Sequence, residues 1–288
     1  MFRKNIIMEL SGSYDSCKNS IRKLIKDITQ EIRKAKSFEI GNKYIDLSHL
    51  TFIDSNLSVI IYAYIKILIS TKKITSDNKY IIIPPIAEPL YKHLNKNNFC
   101  SLWKGKVEED SNNTIIKISE NKNTTESIET IASCIYTKLA DLLMAEDEIN
   151  KFITYLGEVC ANSFQHGETD NLYISGQFFP SRHELNLTFI NFGKTFRQNI
   201  ESLCTDGKYI TWAFVEGNSS SNSWGYGMTY FMELLKKYDA DVVIVSDNEI
   251  YSKENGIIND EVYSDLYLGG TLMNIKFKLN EYNIIKRC

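Results

Sequence analysis

The chain has 288 residues, enough for two domains of ordinary size with cores of their own. A hydrophobic content of 43% with 24% charged residues is typical of a soluble globular protein, not of a disordered or fibrous one. A net charge of −3 gives no electrostatic basis for binding nucleic acid or an anionic membrane, so we expect neither as a partner.

Two further features of the sequence indicate a cytoplasmic protein. Residues 1–5 lack the apolar core of a signal peptide, and the most apolar run, 57–69, is interrupted by Lys66 and is shorter than the roughly 20 residues that span a bilayer. The six cysteines are scattered, with no Cys-x-x-Cys pair and no Cys/His cluster. That spacing favours reduced thiols and argues against structural zinc.

In chain order, the first part of the sequence alternates predicted strands with predicted helices. Strands are predicted at 5–10, at 43–53 and at 80–83, and helices at 17–32, 57–69 and 88–94. This alternation predicts an α/β domain. Asp54 or Ser55 stands where a side-chain oxygen would cap the helix that begins at Leu57.

The string from Asp46 to Ser55, Asp-Leu-Ser-His-Leu-Thr-Phe-Ile-Asp-Ser, resembles the strand and turn of the STAS (anti-sigma-factor antagonist) fold. The resemblance covers residues 5–103. In antagonists of that family, the turn carries two consecutive hydroxyl residues, and the second one accepts a phosphoryl group. Here Asn56 occupies that second position, and an amide cannot be phosphorylated in this way. Whether Ser55 is a helix cap or a modified residue stays open.

The polar run at 107–113 predicts a boundary between domains at 1–108 and 109–288. The second domain is predicted to have strands at 114–118, 171–175, 184–190, 241–246 and 272–279, with helices at 128–143, at 145–166 and after residue 227. Together the two domains give an expected fold class of α/β (α+β).

The helix predicted at 145–166 has two stripes. The apolar one recurs at the spacing of a buried helical face and contains Ile149, Phe152, Ile153, Leu156 and Cys160. The other, roughly opposite at about 100° per residue, contains Glu158, Asn162 and His166. A carboxylate and an amide oxygen one turn apart suit Mg²⁺, which often takes one or two protein oxygens while phosphates and waters complete its shell. A solvated helix face is the alternative reading of the same spacing.

The motif Glu158-x-x-x-Asn162-x-x-x-His166-Gly167 resembles the N-box of the GHKL (histidine-kinase-like, Bergerat-fold) ATPases, and it is most similar to that of bacterial anti-sigma-factor serine kinases. The resemblance implies an α/β sandwich with helices on one face of a mixed sheet. It also implies that ATP and Mg²⁺ are the cofactors, that Asn162 holds the metal ion and that Glu158 acts as the catalytic base. His166 is either a cofactor-binding residue or part of the helix end.

Three later segments resemble the remaining nucleotide-binding boxes of that family, in the same order. Asn191-Phe-Gly193 resembles the adenine box, although the family has Asp at the first position and a second Gly where this chain has Thr195. An Asn carbonyl can still accept a hydrogen bond from the adenine amine, but the bond is no longer charge-assisted. Residues 196–223 correspond to the ATP lid, Gly225-Tyr-Gly227 to the phosphate-binding glycines, and Thr271 to a residue near adenine.

Two functions follow from these resemblances as expectations. The first is an enzyme, an Mg-ATP-dependent ATPase or serine kinase of the anti-sigma type, acting on a STAS or sigma-factor-like protein partner. The second is a nucleotide-gated switch that binds a protein partner through its STAS-like domain without hydrolysis. A second copy of the chain is an open alternative as the partner. Asn56 blocks phosphoryl transfer to that position of the same chain, which favours the second function.

Overall fold

The structure is a computed structural model that describes residues 6–34, 43–70, 80–103, 106–215, 217–218 and 226–279. The chain divides into two compact units, Met1–Ile118 and Ser119–Cys288. The boundary after residue 108 stays a prediction. No helix in the described part of the chain is both long and apolar enough to cross a bilayer.

The first unit contains each element that the sequence predicts. Its elements are β1 (Ile6–Tyr14), α1 (Lys18–Lys34), β2 (Lys43–Ile53), α2 (Ser58–Ser70), β3 (Tyr80–Ile83) and α3 (Glu88–Lys96). The strands form a parallel sheet in the order β1-β2-β3. Parallel neighbours need crossover connections, and α1 and α2 supply them. α2 is buried around most of its circumference, as an apolar helix of this kind requires.

The turn between β2 and α2 differs from the sequence prediction. The backbone carbonyl of Asp54 accepts the N–H groups of Leu57 and Ser58 at 2.9 and 3.2 Å. The Asp54 carboxylate instead accepts the N–H and the hydroxyl of Ser16, both at 2.7 Å. The Ser55 hydroxyl is buried without a hydrogen-bond partner among the described residues. The predicted side-chain cap is therefore wrong, because the loop after β1 brings two donors to the Asp54 carboxylate.

The second unit is built on one large sheet, whose first strand begins at Ile115, ahead of the division after Ile118. Its elements are β4 (Ile115–Asn121), α4 (Thr124–Ala140), α5 (Glu146–Gln165), β5 (Leu172–Phe179), β6 (Glu184–Asn191), α6 (Phe196–Ile200), α7 (Tyr209–Ala213), α8 (Tyr226–Lys237), β7 (Asp241–Asp247), β8 (Glu249–Glu254), β9 (Ile257–Val262) and β10 (Leu268–Lys278). The strand order is β4-β5-β6-β10-β7-β8-β9. The pairings from β5 to β9 are antiparallel, whereas the resemblance implies a mixed sheet. The predicted α/β class is confirmed.

The hairpin of β8 and β9 is an addition that the sequence analysis did not predict. Its turn is Asn255-Gly256, and both residues have positive φ, 50° and 80°. Positive φ at both central residues is the requirement of a type I′ hairpin turn, and Asn-Gly is its preferred sequence. The signal was therefore present in the sequence, directly before Ile257.

α5 is the central helix of the unit. All five residues of its predicted apolar stripe are buried, which confirms that part of the prediction. The Phe152 ring packs against Tyr238 at 5.1 Å and against Phe277 of β10 at 4.8 Å. On its other flank α5 meets α4, where a Cβ at Gly157 would lie 3.0 Å from Ile128. These contacts fix the rotation of α5, and hence the direction in which its polar stripe points.

Candidate functional site

The polar stripe of α5, formed by Glu158, Asn162 and His166, lies on the face of the helix that does not pack into the hydrophobic core. Glu158, Asn162 and His166 are each half-buried, in contrast to the fully buried apolar stripe. They occupy successive turns, so the carboxylate and the amide lie about 6 Å apart along the helix axis. The structure thus places the three predicted residues on one accessible edge of α5.

The first turn of α8 lies alongside the turn of α5 that contains Glu158, and Asn162 follows one turn later on α5. The two helices run antiparallel, since Lys237 at the end of α8 pairs with Glu148 at the start of α5. Further along, the rings of Tyr230 and Tyr155 stack at 5.9 Å. One turn beyond Tyr155 is Glu158, while one turn before Tyr230 is the first turn of α8. The backbone of Gly227 belongs to that first turn, and Gly225 lies outside the described residues.

This placement has an electrostatic consequence. The first backbone N–H groups of a helix have no acceptor within the helix, and the aligned peptide dipoles put partial positive charge there. Such an end favours a phosphate or another anion by about 0.3–1 kcal/mol at an exposed site. An anion held there would lie near the carboxylate of Glu158 and the amide of Asn162. Because the anion and the carboxylate are both negative, a divalent cation would be needed between these two groups.

At its C-terminal end, α5 is joined to the sheet through Asn191. This residue ends β6 and is only 1% exposed. Its side-chain oxygen accepts the Thr271 N–H at 2.9 Å, and its side-chain nitrogen donates to the carbonyl of Ser163 at 3.3 Å. Asn191 therefore connects α5, β6 and β10. Each end of the amide has one partner and retains capacity for a second hydrogen bond.

Three glycines allow the backbones to approach one another around Asn191. A Cβ at Gly193 would lie 2.0 Å from the carbonyl oxygen of Gly167, and one at Gly270 would lie 2.1 Å from that of Asn191. A Cβ at Gly167 would lie 2.3 Å from the Ser163 carbonyl. Side chains at these positions would require the backbone to move. The immediate neighbours of Gly193 are Gly167 and Thr169, just after the end of α5.

The end of α5 is closed by backbone hydrogen bonds to Asn162. His166 is the C-terminal cap, and the N–H groups of His166 and Gly167 both donate to the Asn162 carbonyl, at 3.0 and 3.2 Å. Glu168, not Gly167, has the positive φ, 45°. The His166 carbonyl accepts from the side chain of Asn199 at 2.9 Å. The backbone of His166 is therefore part of the helix end.

Thr195 has a structural role that explains its presence in place of a glycine. It is the N-cap of α6, where its hydroxyl accepts the Gln198 N–H at 3.3 Å and its own N–H donates to the Gln198 side chain at 2.9 Å. This reciprocal pair is a capping box. The next residue, Phe196, donates its N–H to the hydroxyl of Ser246 at 3.1 Å.

Ser246 belongs to a polar row that the sequence analysis missed. Asn191, Thr271, Ser246 and Glu249 are directly paired across β6, β10, β7 and β8. Directly paired residues of antiparallel strands project from the same face of the sheet. Within the row, the Ser246 hydroxyl donates to the Gly270 carbonyl at 2.8 Å. Serine and glutamate at the ends of apolar strands were the available signal, but which strands are neighbours could not be read from the sequence.

Comparison of the sequence with protein-family models and with curated proteins gives no match. The predicted residues therefore fall into two groups by geometry alone. Glu158 lies beside the start of α8, with Asn162 one turn further along α5, and His166, Asn191, Gly193 and Thr271 lie together at the end of α5.

Proposed function

We propose that the second unit binds Mg-ATP and acts as a nucleotide-dependent signalling regulator in the cytoplasm. The observation that carries the proposal is the position of α5 between two different polar environments. One is the start of α8, an anion-favouring helix end beside the turn of α5 that contains Glu158, with Asn162 one turn further along. The other is the Asn191–Thr271 connection at the end of the same helix. A nucleotide has the same two ends, a polyanion and a base with hydrogen-bonding edges.

At the phosphate end, the residues present fit a magnesium nucleotide. Asn162 offers a neutral oxygen, and Mg²⁺ typically combines one or two protein oxygens with phosphate oxygens and water. Bound there, Mg-ATP would supply an activated terminal phosphoryl group. Glu158, one turn before Asn162, is placed to orient or deprotonate the group that attacks it.

At the base end, Asn191 would accept from the exocyclic amine of adenine with the remaining lone pair of its side-chain oxygen. A hydrogen bond between neutral groups contributes about 0.5–1.5 kcal/mol, against about 1.5–3 kcal/mol when one partner is charged. An asparagine in this position therefore predicts weaker base binding than an aspartate would give. Thr271, whose N–H already holds Asn191, would lie next to the same edge of the base.

Two outcomes of nucleotide binding are proposed. In the first, the unit is an ATPase or serine kinase that resembles anti-sigma-factor kinases and acts on a separate STAS or sigma-factor-like protein. In the second, it is a non-hydrolysing switch whose STAS-like first unit binds the partner. Asn56 supports the second, because it is fully buried and carries no hydroxyl at the position where a phosphoacceptor would stand.

Titration calorimetry with ATP, in the presence and absence of Mg²⁺, tests the proposal. We expect one site that requires Mg²⁺, and we expect Asn162→Ala to weaken it by at least about tenfold, which is about 1.4 kcal/mol. Asn150→Ala is the matched control, because Asn150 is an exposed residue at the opposite end of α5. Equal affinity in both variants would remove Asn162 from the site, and no heat in the wild type would remove the nucleotide.

Labelled ATP distinguishes the enzyme from the switch. A kinase or ATPase releases or transfers the terminal phosphate, and Glu158→Gln should slow that step by about 10²–10⁴-fold, as expected for loss of a general base, while ATP still binds. A switch binds ATP with no turnover in either protein and raises the melting temperature by mass action.

A further inference from the structure

β9 is the last strand of the large sheet of the second unit, and its outer edge is exposed. It pairs with β8 on one side, and no strand pairs with its other side among the residues that the structure describes. Three of its side chains are aliphatic and more than half exposed: Ile257 at 65%, Ile258 at 58% and Val262 at 56%. An exposed edge strand of this kind is a template on which another extended chain can pair.

A hydrogen bond just after β9 determines which backbone groups of this strand face outward. Tyr263, the residue that follows β9, donates its N–H to the carbonyl of Asn248 at 2.8 Å. In an antiparallel pair, residues that bond to the partner strand alternate with residues whose N–H and C=O groups point away from it. Ile258, Asp260 and Val262 therefore point away from β8. Each of them presents one N–H and one C=O to the outer edge.

The other edge strand of the same sheet, β4, carries protection that β9 lacks. Lys117 on β4 is exposed, and the isoleucines of β4 are all buried. Natural edge strands are commonly protected from unwanted pairing by lysine, by proline or by a bulge. β9 contains neither lysine nor proline, and it pairs with β8 without a register shift. The two edges of the sheet therefore differ, and β9 is the edge that can accept a further strand.

The charge around β9 indicates the chemistry of that further strand. Residues 254–265 include four acidic side chains and no lysine, arginine or histidine. Two of the four, Asp260 and Glu261, lie within β9 itself. The hydroxyl of Thr211 donates to Asp260 and that of Tyr263 donates to Glu261. Because a hydroxyl group is neutral, these hydrogen bonds do not compensate a carboxylate charge, whereas a basic side chain from a partner strand would.

A second copy of the chain fits this edge less well than a basic strand does. Two-fold antiparallel pairing of β9 with itself places residues of one sheet face opposite each other. With the axis at Asp260, the carboxyl group lies opposite its own copy, and like charges directly opposite each other destabilise a sheet. With the axis at Asn259, both acidic side chains of β9 lie opposite isoleucines and gain no cation. The two registers with the longest overlap are therefore both poor.

We propose that β9 is a docking strand for a partner protein, which adds an extended basic and apolar segment to the free edge of the sheet. The backbone of the segment bonds to the outward groups of Ile258, Asp260 and Val262. Apolar side chains suit the positions opposite Ile257, Ile258 and Val262, and basic ones suit the positions opposite Asp260 and Glu261. In the antiparallel direction, which is the more stable one per residue, the segment reads apolar, basic, basic, polar, apolar, apolar. This docking strand goes beyond the proposed function and requires no bound nucleotide.

Fluorescence anisotropy with labelled peptides tests the docking strand on the intact chain. The probe is the end-blocked peptide Val-Lys-Lys-Thr-Ile-Val, and its matched control is Val-Glu-Glu-Thr-Ile-Val. We expect the lysine peptide to bind at least about tenfold more tightly, because opposite charges stabilise a cross-strand pair and like charges destabilise it. The lysine peptide N-methylated at its first, third and fifth residues keeps the side chains but loses the donors, and it should not bind. Equal binding of the lysine and glutamate peptides, or full binding of the methylated one, would overturn the proposal.

Ile258→Lys tests the same edge from the side of the protein. Ile258 is exposed, so the substitution spares the core and gives β9 the lysine that protects β4. We expect it to weaken binding of the lysine peptide at least about tenfold, because it removes an apolar contact and adds a third positive charge. Val262→Pro removes one outward N–H, which an edge strand tolerates, and should also weaken binding. Leu143→Lys, an exposed aliphatic residue between α4 and α5, is the matched control and should bind like the wild type. If Val262→Pro lowers the melting temperature, Ile258→Lys decides alone, and wild-type binding by it would contradict the proposal.

Sedimentation velocity identifies a second copy as the occupant, should that be the case. We expect Ile258→Lys to leave the oligomeric state unchanged. A wild-type dimer that this substitution converts to a monomer would show that β9 pairs with its own copy, and the basic partner would be wrong. Peptide binding measured with and without Mg-ATP keeps the docking strand distinct from the proposed function. The peptide should bind in both conditions, even if ATP itself does not bind.

Discussion

Two groups of polar residues near the C-terminal end of α5 differ in how they are held. Asn191 uses both ends of its amide within the protein, and Gly193 and Gly270 lie against neighbouring backbone. Glu158 and Asn162, in contrast, are half-buried side chains on the edge of the helix. Asn191 and its neighbours therefore hold the fold together, whereas we expect the Glu158–Asn162 edge to contact a ligand. Substitutions in the two groups should separate stability from binding.

The largest effect is expected for Gly193→Ala. The new Cβ would lie 2.0 Å from the backbone oxygen of Gly167, which no side-chain rotation can relieve. Forced overpacking of this kind costs about 3 kcal/mol of unfolding free energy. Urea unfolding followed by circular dichroism measures it. The control is Gly207→Ala, where φ is +74° and no atom lies within 4 Å of the added Cβ. It should cost only about 1–2 kcal/mol, from the left-handed conformation alone. If Gly193→Ala cost no more than this control, the close contact at the end of α5 would not exist.

A smaller effect is expected for Asn191→Asp, even though the resemblance implies Asp at this position. The substitution removes the donor to the Ser163 carbonyl and places a second oxygen about where the nitrogen was, 3.3 Å from that carbonyl. Losing one partner of a buried hydrogen bond costs about 1–3 kcal/mol. Urea unfolding again measures it, with exposed Asn150→Asp as the matched control, expected within about 0.5 kcal/mol of wild type. An Asn191→Asp protein as stable as its control would show that the amide nitrogen contributes nothing.

The smallest effect on stability is expected for Asn162→Ala. Its unfolding free energy should stay within about 0.5 kcal/mol of wild type, because the higher helix propensity of alanine offsets the loss of a half-buried polar group. The same variant should lose Mg-ATP affinity. A large loss of stability would mean that Asn162, like Asn191, holds the fold, and the contrast between the two groups of polar residues would disappear.

The features that depend on local sequence were predictable. The spacing of Ile149, Phe152, Ile153, Leu156 and Cys160 predicted the buried face of α5, and all five residues are buried. Alternation of strands and helices predicted the α/β character of the first unit, whose sheet is parallel. The β8–β9 hairpin was missed although Asn255-Gly256 is a strong turn signal, because the strands on both sides are polar and short.

The features that depend on distant contacts were not predictable. The partner of Asn191 is the N–H of Thr271, 80 residues away. The contact of Asp54 with Ser16, which displaced the expected helix cap, joins residues 38 positions apart. The contact of Glu249 with the N–H of Ile210 in α7 joins residues 39 positions apart. In each case the sequence shows that a residue can donate or accept a hydrogen bond, but only the fold determines which distant residue becomes its partner.

The position of the metal ion is the most direct test of the account. A crystal grown with Mn²⁺ and a slowly hydrolysed ATP analogue gives an anomalous peak wherever the divalent ion binds. The account predicts a peak at about 2.1 Å from Oδ1 of Asn162, the usual Mg²⁺–oxygen distance, with phosphate oxygens on its far side and the base toward Asn191. A nucleotide bound elsewhere on the chain, or an ion with no contact to Asn162, would contradict it.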